Sequence, residues 1–365
     1  MLPLMKCSSL YPAQHSLIEH ETIVENKRNK VIDKLSTVQN DLLNLKSFAS
    51  DLQSSWIKTG TSNVEIIRGE KIEGINLLKY GLNHTSCLLK NNIQSNSVSN
   101  IYDRALMNKI CLSETIHHGK EIIDFNSTDE LINYIGNNEN CEMRAVVRMA
   151  NIDQPSKVHY TCFDVSKMGN NTSLMVYEPA FIKDNTNAHV YNGLQSLLGS
   201  IIYSRETKEL SHDVFNVGFV EMGIQKSPYD CAIYSVSIAN NLNKHTEFSK
   251  KMLDSISNKP LSDYGVVFFY ESSAENTVNN KDNKIKTNIP PMFLKHSTSL
   301  SGIKKSDIDT DDIIINKKNE TLSDRIKNNF IERGGVTCSN SIEKKRLLFI
   351  ERAVVSEGVY FKNYI

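Results

Sequence analysis

Residues 223–242, GIQKSPYDCAIYSVSIANNL, place a thiol at a position suited to chemistry. A polar, turn-forming run ends at Cys231, and a compact apolar segment that predicts a buried helix begins directly after it. A thiol at a helix N-terminus feels the positive end of the helix dipole, which favours the thiolate. Gln225 lies six residues upstream across a Ser-Pro turn, and its amide can donate to a developing oxyanion. The stretch therefore suggests a nucleophilic cysteine with an oxyanion donor beside it.

A predicted β-hairpin supplies the partners that such a thiol needs. The segments VHYTCFDV (158–165) and TSLMVYEPA (172–180) flank a turn-like SKMGNN. If they pair about the centre of that loop, His159 and Glu178 face each other directly, where Cβ atoms approach to about 4.5–5.5 Å. The carboxylate can then hold one imidazole nitrogen and support the imidazolium, which leaves the other nitrogen to activate a nucleophile. Together with Cys231, this pattern predicts a Cys–His–Glu triad.

Each of these residues taken singly has a simpler interpretation. A single histidine beside a strand is most often structural, and a single cysteine beside a helix is most often an inert core residue. The joint pattern is far less expected by chance, since His159 and Glu178 share a hairpin while Gln225 and Cys231 share a loop-to-helix junction. The combination favours a catalytic site.

The elements around the site predict an α+β chain. Further strands are expected at 143–150 (MRAVVRMA) and 214–222 (VFNVGFVEM). A helical stretch is expected over 119–136, where Ser127 is a candidate N-cap with Glu130 three residues on. Residues 60–100 suggest short mixed segments that include an Asn/Ser-rich loop.

The two ends of the chain carry helical patterns of their own. Between 21 and 56, apolar residues recur four and three apart and predict a long helix packed on the main domain, with a coiled-coil partner helix as the alternative. After residue 260 the polar segments 275–290 and 301–312 predict loops. NKKNETLSDRI (316–326) follows, and IEKKRLLFIERAVV (342–355) predicts a basic amphipathic helix.

Composition limits the classes of function. The 365 residues carry 42 lysines and arginines against 42 aspartates and glutamates, so no overall basic field predicts a nucleic-acid or anionic-membrane partner. No run of eighteen apolar residues predicts a transmembrane span, and the N-terminus lacks a Sec-type signal pattern. The 7 cysteines form no CxxC pair, so neither a metal site nor a disulfide framework is expected, and a reducing compartment is the default.

Two spans carry a resemblance to a known family. SKVHYTCFDVSKMGNNTSLMVYEPA and VEMGIQKSPYDCAIYSVSIAN closely resemble the YopJ/AvrA/HopZ family of bacterial type III effectors, which are serine/threonine/lysine acetyltransferases. PMFLKHSTS, NKKNETLSDR and EKKR also look like family segments, so the resemblance covers roughly residues 120–355. One departure is Ala232, since the family usually has glycine directly after the cysteine.

The resemblance implies roles for residues of the catalytic site. Cys231 becomes the nucleophile that acetyl-CoA acetylates, His159 the general base, Glu178 its orienter and Gln225 the oxyanion donor. Lys226 and Ser227 match the loop that touches CoA in the family, and His159 joins this cofactor-binding set.

The resemblance also implies an activator, inositol hexakisphosphate, held by a basic cluster from N- and C-terminal segments. The matching positions are Lys295, His296, Arg325 and Arg346, with Lys244 as a substitute for lysines that relatives carry at Asn240 and Asn241. Without the resemblance, the EKKR run is better interpreted as a solvated helix face. Lys295 also matches a lysine that becomes autoacetylated in relatives.

The expected organisation follows from the same resemblance. The fold is expected to be α+β, with a catalytic core of the ubiquitin-like-protease type and a mainly helical regulatory region from both chain ends. The expected boundaries are an irregular 1–20 with a possible secretion signal, a helical 21–115, a catalytic core at 116–260 and a regulatory 261–365.

The function expected from it is that of a secreted effector. Such a protein is exported by a type III system into the host cytoplasm, where it acetylates Ser/Thr or Lys of host signalling proteins such as kinases. A cysteine protease that cleaves ubiquitin-like modifiers is the first alternative, because triad and core are shared. An interaction module with a vestigial triad is the second, and the intact residue set argues against it.

Overall fold

The computed structural model describes 66–67, 70–71, 74–150, 158–180, 197, 201, 213–225, 227, 229–257, 266–272, 290–297, 313–316, 318–333 and 336–363. The predicted helix over 21–56 with its coiled-coil alternative lies outside these residues. So do the predicted loop at 301–312 and all but the last residue of the loop at 275–290.

The elements, in chain order, are short strands, a helical pair, a sheet with inserted helices, and a helical C-terminal part. They are β1 (Ile66–Ile67), β2 (Glu70–Lys71), α1 (Gly74–Lys90), α2 (Ser97–His118), β3 (Ile122–Phe125), α3 (Thr128–Gly136), β4 (Asn140–Ala150), β5 (Val158–Met168), β6 (Asn171–Glu178), β7 (Val214–Glu221), α4 (Cys231–Lys244), α5 (Thr246–Ser257), β8 (Val266–Ser272), a 3₁₀ turn (Pro291–Phe293), α6 (Leu322–Asn329), β9 (Phe330–Arg333), β10 (Val336–Ser339) and α7 (Ser341–Asn363).

A six-stranded mixed sheet forms the centre, with strand order β3-β4-β5-β6-β7-β8. β4, β5 and β6 are antiparallel, whereas β3 runs parallel to β4, and β6, β7 and β8 run parallel to one another. The β7 sequence VFNVGFVE is buried at every position but its first, which suits a strand covered on both faces. The α+β expectation is confirmed, and the sheet extends through β8, beyond residue 260.

Two apolar clusters cover the sheet. One contains side chains of α1, α2, α4 and α7 with Tyr160, Cys162, Met175 and Tyr177 of the hairpin, and the other joins α3 to residues such as Phe163 and Val176. Alternate hairpin residues belong to opposite clusters because successive strand side chains point to opposite faces. Helix α4 is buried from Cys231 to Asn243, since it lies between the sheet and the other helices. The residue that starts α4 is therefore set deep in the molecule.

Several predicted elements are confirmed. The hairpin, the strand at 214–222, the helix after Cys231 and the C-terminal helix are all present. Ser127 caps α3, with its Oγ accepting from the backbone N of Glu130 at 3.1 Å.

Other predictions were wrong. Residues 119–127 are not helical, because 122–125 form β3 beside β4. Helix α1 and the start of α2 occupy much of 60–100, where short mixed segments were expected, although the Asn/Ser-rich turn between them was placed correctly. Both helices contact α7, so their stability comes from tertiary packing that a local pattern does not show. No helix within the described ranges is both long and apolar enough to cross a membrane.

Candidate active site

The hairpin brings His159 and Glu178 together, but not through the predicted register. Cys162 pairs with Tyr177 and Met168 with Asn171, so a two-residue turn replaces the longer loop. Continuing this register places Thr161 opposite Glu178, and His159 becomes a diagonal neighbour on the same face. The predicted direct pairing was wrong by two residues. Side chains alternate with a period of two, so that slip leaves both groups on one face.

The carboxylate of Glu178 is held by three partners. Its Oε2 lies 2.8 Å from Nε2 of His159 and accepts from Oγ1 of Thr161 at 3.0 Å. Its Oε1 accepts from the backbone N of Ala180 at 2.8 Å. Glu178 is fully buried, and these donors supply the hydrogen bonds that a buried carboxylate needs. The group is therefore fixed in position to orient the imidazole.

The imidazole of His159 links this carboxylate to the thiol of Cys231. Its Nε2 faces Glu178, and the Cys231 side chain hydrogen-bonds the same ring, so Nδ1 is the nitrogen left for sulfur. Burial alone lowers the pKa of His159, but the charge and hydrogen bonds of Glu178 and Cys231 outweigh it and raise that pKa to about 10. The arrangement favours the protonated imidazole, the imidazolium, beside the sulfur of Cys231.

Helix α4 begins at Cys231, the predicted nucleophile. Asp230 is the N-cap residue, yet its side chain makes no hydrogen bond to the first turn. Its carboxylate instead receives the hydroxyl of Ser227 and, at 2.6 Å, Nη2 of Arg346. Since the Asp230 side chain does not cap this turn, the helix dipole favours a negative charge at Cys231.

Gln225 is anchored at the end of the hairpin. Its backbone N donates to the carbonyl of Pro179 at 2.9 Å, directly after Glu178 in sequence. Its side-chain Nε2 donates to the carbonyl of Ser227, while its buried Oε1 has no hydrogen-bond partner among the residues the structure describes. The amide is thus placed at the same end of the sheet as the triad. Lys226 lies outside the described residues.

A second cluster of functional side chains lies in a cavity of about 330 Å³ between α6, α7 and the segment around Pro291–Phe293. We refer to it as the cation cavity, because five cationic side chains line it against one carboxylate. Its described lining consists of Lys295, His296, Asn316, Lys318, Glu320, Arg325, Ser341, Lys344, Lys345 and Leu348.

The cations of this cavity repel one another. Burial, together with Lys244 and Arg325, lowers the pKa of Lys295 to about 8. Burial lowers the pKa of Lys345 to about 7; Glu114 opposes this effect, and Lys295 and other nearby cations add to it. Burial and like-charged neighbours both disfavour protonation of these lysines, and a multivalent anion would offset both effects.

The structure brings together three of the five residues expected to hold an anion. Lys295, His296 and Arg325 line the cation cavity, and Lys244, at the end of α4, is close enough to lower the pKa of Lys295 without lining it. Arg346 lies elsewhere: its guanidinium is fully buried between Asp103 and Asp230. The expectation that Arg346 joins the cluster is wrong for this arrangement.

Sequence reasoning missed other lining residues, above all Lys344 and Lys345 in the EKKR run and Lys318 in NKKNET. The basic run EKKR was the only sequence signal from which Lys344 and Lys345 could have been proposed as lining residues. Successive helix residues point about 100° apart, so only the tertiary position of α7 decides which of them face the cavity.

Similarity to known proteins extends over the part of the chain that contains both sites. A family model described as YopJ Serine/Threonine acetyltransferase matches residues 78–352, from α1 into α7. The chain belongs to this family. Within the family match lie the triad, Gln225 and every lining residue of the cation cavity.

The relatives are distant. The serine/threonine-protein acetyltransferases YopJ of Yersinia pestis and Yersinia pseudotuberculosis are each 25% identical over 194 residues. The match covers 52% of this chain and spans 60% of the length of those relatives.

Two solved structures share the fold. One, of AvrA delL154 with IP6 and CoA, is 19% identical, with a TM-score of 0.57 over 78% of this chain and 99% of that one. The other, of HopZ1a in complex with IP6, is 17% identical, with a TM-score of 0.57 over 78% of this chain and 97% of that one.

Proposed function

We propose that this protein is an acetyltransferase that moves an acetyl group from acetyl-CoA to a protein hydroxyl or amine through Cys231. The observation that carries the proposal is the buried chain of hydrogen bonds from Glu178 through His159 to Cys231, in a member of this family. The other expected roles follow as proposals: Gln225 as oxyanion donor, and Lys226 and Ser227 as CoA contacts.

The triad supports a two-step, covalent scheme. The Cys231 thiolate attacks the thioester carbonyl, a bond forms from its Sγ to the acetyl carbon, and the bond from that carbon to the CoA sulfur breaks. The leaving sulfur takes a proton from His159, so the imidazole is neutral when the acceptor arrives. His159 then removes the acceptor proton as the acceptor attacks, and Cys231 is released as the thiolate. Glu178 holds the ring in one orientation through both steps.

The cation cavity supports regulation by inositol hexakisphosphate. Lys295 and Lys345 present partly buried charges and Lys344 an exposed one, which the described structure leaves incompletely compensated. Arg325 is only loosely paired with Glu320, at 3.6 Å. A hexakisphosphate requires several converging cationic donors, and this cavity offers five. We place the activator here, with Lys318, Lys344 and Lys345 taking the position expected for Arg346.

The wider context is part of the same proposal. A mainly helical regulatory region would combine α1 and α2 with α6 and α7 around a catalytic core of the ubiquitin-like-protease type. The protein would be exported through a type III system and would act in the host cytoplasm on signalling proteins such as kinases. The solved relatives with IP6 and CoA support the choice of ligands.

The test is acetyl labelling. Purified protein is incubated with labelled acetyl-CoA, with and without inositol hexakisphosphate, and the site of label is mapped by mass spectrometry. We expect a thioester on Cys231 that Cys231→Ala abolishes and that Cys141→Ala, a half-buried thiol on β4, retains. Protein without label under both conditions would exclude acetyl transfer. Cleavage of a ubiquitin-like fusion by the same preparation would establish the protease alternative instead.

A further inference from the structure

Arg346 occupies an unusual position in the basic run of α7. Its neighbours Lys344 and Lys345 line the cation cavity, whereas the Arg346 side chain is completely buried. Its Nε and Nη2 donate to the two carboxylate oxygens of Asp103 on α2, at 2.8 and 2.9 Å. This two-pronged geometry fixes the guanidinium plane, which a lysine in its place would not do. The cavity and a rigidly held arginine thus share one turn of helix.

The other contacts of Arg346 lead to the nucleophile. Its Nη2 donates to the carboxylate of Asp230 at 2.6 Å and reaches the carbonyl of Tyr229 at 3.3 Å. Asp230 directly precedes Cys231 and also receives the Ser227 hydroxyl. The Ser227 carbonyl accepts from the Gln225 side chain in turn. The guanidinium therefore touches the residue before Cys231 directly, and it is linked to Gln225 only through Asp230 and Ser227.

Arg346 is the cation at the centre of three buried carboxyl groups. Burial raises the pKa of Asp103 to about 6, although Arg346 opposes that effect, and burial with the charge of Asp230 raises the pKa of Glu343 to about 7. Glu343 is tied in addition to the backbone N of Ser95, at 3.2 Å. A displacement of Arg346 would leave Asp230 as a buried, uncompensated charge beside Cys231, so the two must move together.

We propose that Arg346 is a positioning residue that couples occupancy of the cation cavity to the geometry of Cys231. The coupling rests on the proposed function, because it assigns the path by which an anion in the cavity acts on that same site. An anion that binds Lys344 and Lys345 pulls on the first two turns of α7, which begins at Ser341. Arg346 follows Lys345 directly and carries the shift to Asp230, the residue before Cys231. Displacements well under 1 Å are sufficient, since reactivity depends steeply on the approach geometry.

A matched pair of variants separates positioning from a merely structural role. Asp230→Asn and Asp103→Asn each remove one buried carboxylate from the same guanidinium, but only the first breaks the path to Cys231. The readouts are calorimetric affinity for inositol hexakisphosphate and the pH profile of Cys231 alkylation by iodoacetamide, measured with and without the anion. Neither requires acetyl transfer, so loss of the proposed acetyltransferase activity would be recognised separately in the labelling assay.

The proposal predicts different effects of the anion on Cys231 alkylation in the different variants. In the unaltered protein and in Asp103→Asn, the anion changes the alkylation rate of Cys231 by about tenfold, a typical allosteric coupling. In Asp230→Asn the anion binds within about threefold of the unaltered affinity but leaves the alkylation profile unchanged. Arg346→Lys keeps the charge, but its single ammonium cannot hold Asp230 in the guanidinium's fixed geometry. We expect this variant to retain anion binding and to lose most of the coupling, so it tests the proposal if Asp230→Asn does not fold.

The opposite results are equally clear. Equal responses of Asp103→Asn and Asp230→Asn would assign Arg346 a structural role and overturn the proposal. The proposal also fails if the unaltered protein binds the anion without any change at Cys231, or if it does not bind the anion.

Discussion

The triad and the cation cavity both gather buried ionisable groups, but they compensate charge in opposite ways. At the triad, the charge of Glu178 meets the imidazole of His159, and the pKa of His159 rises to about 10. In the cavity, burial and neighbouring cations together lower the pKa values of Lys295 and Lys345 to about 8 and about 7. The charges of Glu178 and His159 compensate each other, whereas the cavity would lower its free energy by taking up the proposed anion.

This difference in charge compensation suits the two regions to different tasks. A compensated cluster holds a fixed geometry, which catalysis by a thiolate–imidazolium pair requires. A cluster of like charges favours a looser arrangement that a ligand can tighten, which regulation requires. Substitutions should therefore act with opposite signs on stability in the two regions.

The largest expected effect comes from breaking the compensated pair. Glu178→Gln keeps the shape of the side chain but removes the charge that supports the imidazolium. We expect acetyl loading of Cys231 to slow by about 10³-fold, together with a lower melting temperature. Labelling kinetics and thermal unfolding measure the two effects. Glu142→Gln, a mostly exposed carboxylate on β4, is the control and should leave both unchanged. Normal loading kinetics in Glu178→Gln would disprove the orienting role.

The next largest effect is expected from removing one positive charge from the cation cavity. Lys345→Met removes one of the mutually repelling cations and retains the contact with the ring of Phe349, over which the ammonium lies at 4.3 Å. We expect affinity for inositol hexakisphosphate to fall about 10- to 100-fold, the contribution of one charge-assisted contact. The ligand-free protein should melt at a higher temperature than the unaltered one.

Calorimetry and thermal unfolding test this prediction. Lys250→Met, at an exposed position of α5, is the matched lysine outside the cavity and should show neither change. A ligand-free Lys345→Met that melts at a lower temperature would contradict the repulsion argument.

The two regions should also respond to pH with opposite signs. His159 has a folded-state pKa of about 10 against an ordinary 6.5, so its stabilisation is complete below pH 6.5 and is lost as pH rises through 10. Lys345 has a folded-state pKa of about 7 against 10.5, so its destabilisation is complete below pH 7 and fades as pH rises to 10.5.

Thermal unfolding of matched variants across this range separates the two contributions. The stability gap between the unaltered protein and Glu178→Gln should shrink between pH 6.5 and 10, where the stabilisation by His159 is lost. The excess stability of Lys345→Met should shrink between pH 7 and 10.5. Gaps that do not change with pH would show that the charge states assigned to the two groups are wrong.

The smallest expected effect comes from losing the hydrogen bond that Thr161 donates to Glu178. Thr161→Val preserves shape and removes one of the three hydrogen bonds to Glu178. We expect unfolding free energy to fall by about 1 kcal/mol and acetyl loading to slow only severalfold, because His159 and the Ala180 N–H still hold the carboxylate. Denaturant titration and labelling kinetics measure both. A loss as large as that of Glu178→Gln would show that Thr161 takes part in the chemistry.

The chemistry could be predicted from the sequence better than the arrangement around it. A local two-residue period was enough to place His159 and Glu178 on one face, and the prediction survived a two-residue error in register for that reason. The expected helix after Cys231 is likewise confirmed, since its apolar run follows a turn signal directly. In contrast, β3 was assigned to a helix because a four-residue strand that pairs with a distant one leaves almost no local pattern.

By itself, the sequence determined that His159 and Glu178 share one strand face, that Cys231 starts a helix and that the C-terminal segments are basic, because residue type and short-range spacing express these directly. Only the tertiary structure decided how α7 lies against α2 and α4. In that orientation Lys344 and Lys345 line the cation cavity. Arg346 points into the interior, where it binds Asp103 and Asp230. The physical reason is that a helix presents adjacent residues about 100° apart, so long-range packing determines which charge is exposed to a ligand and which one is buried against a carboxylate.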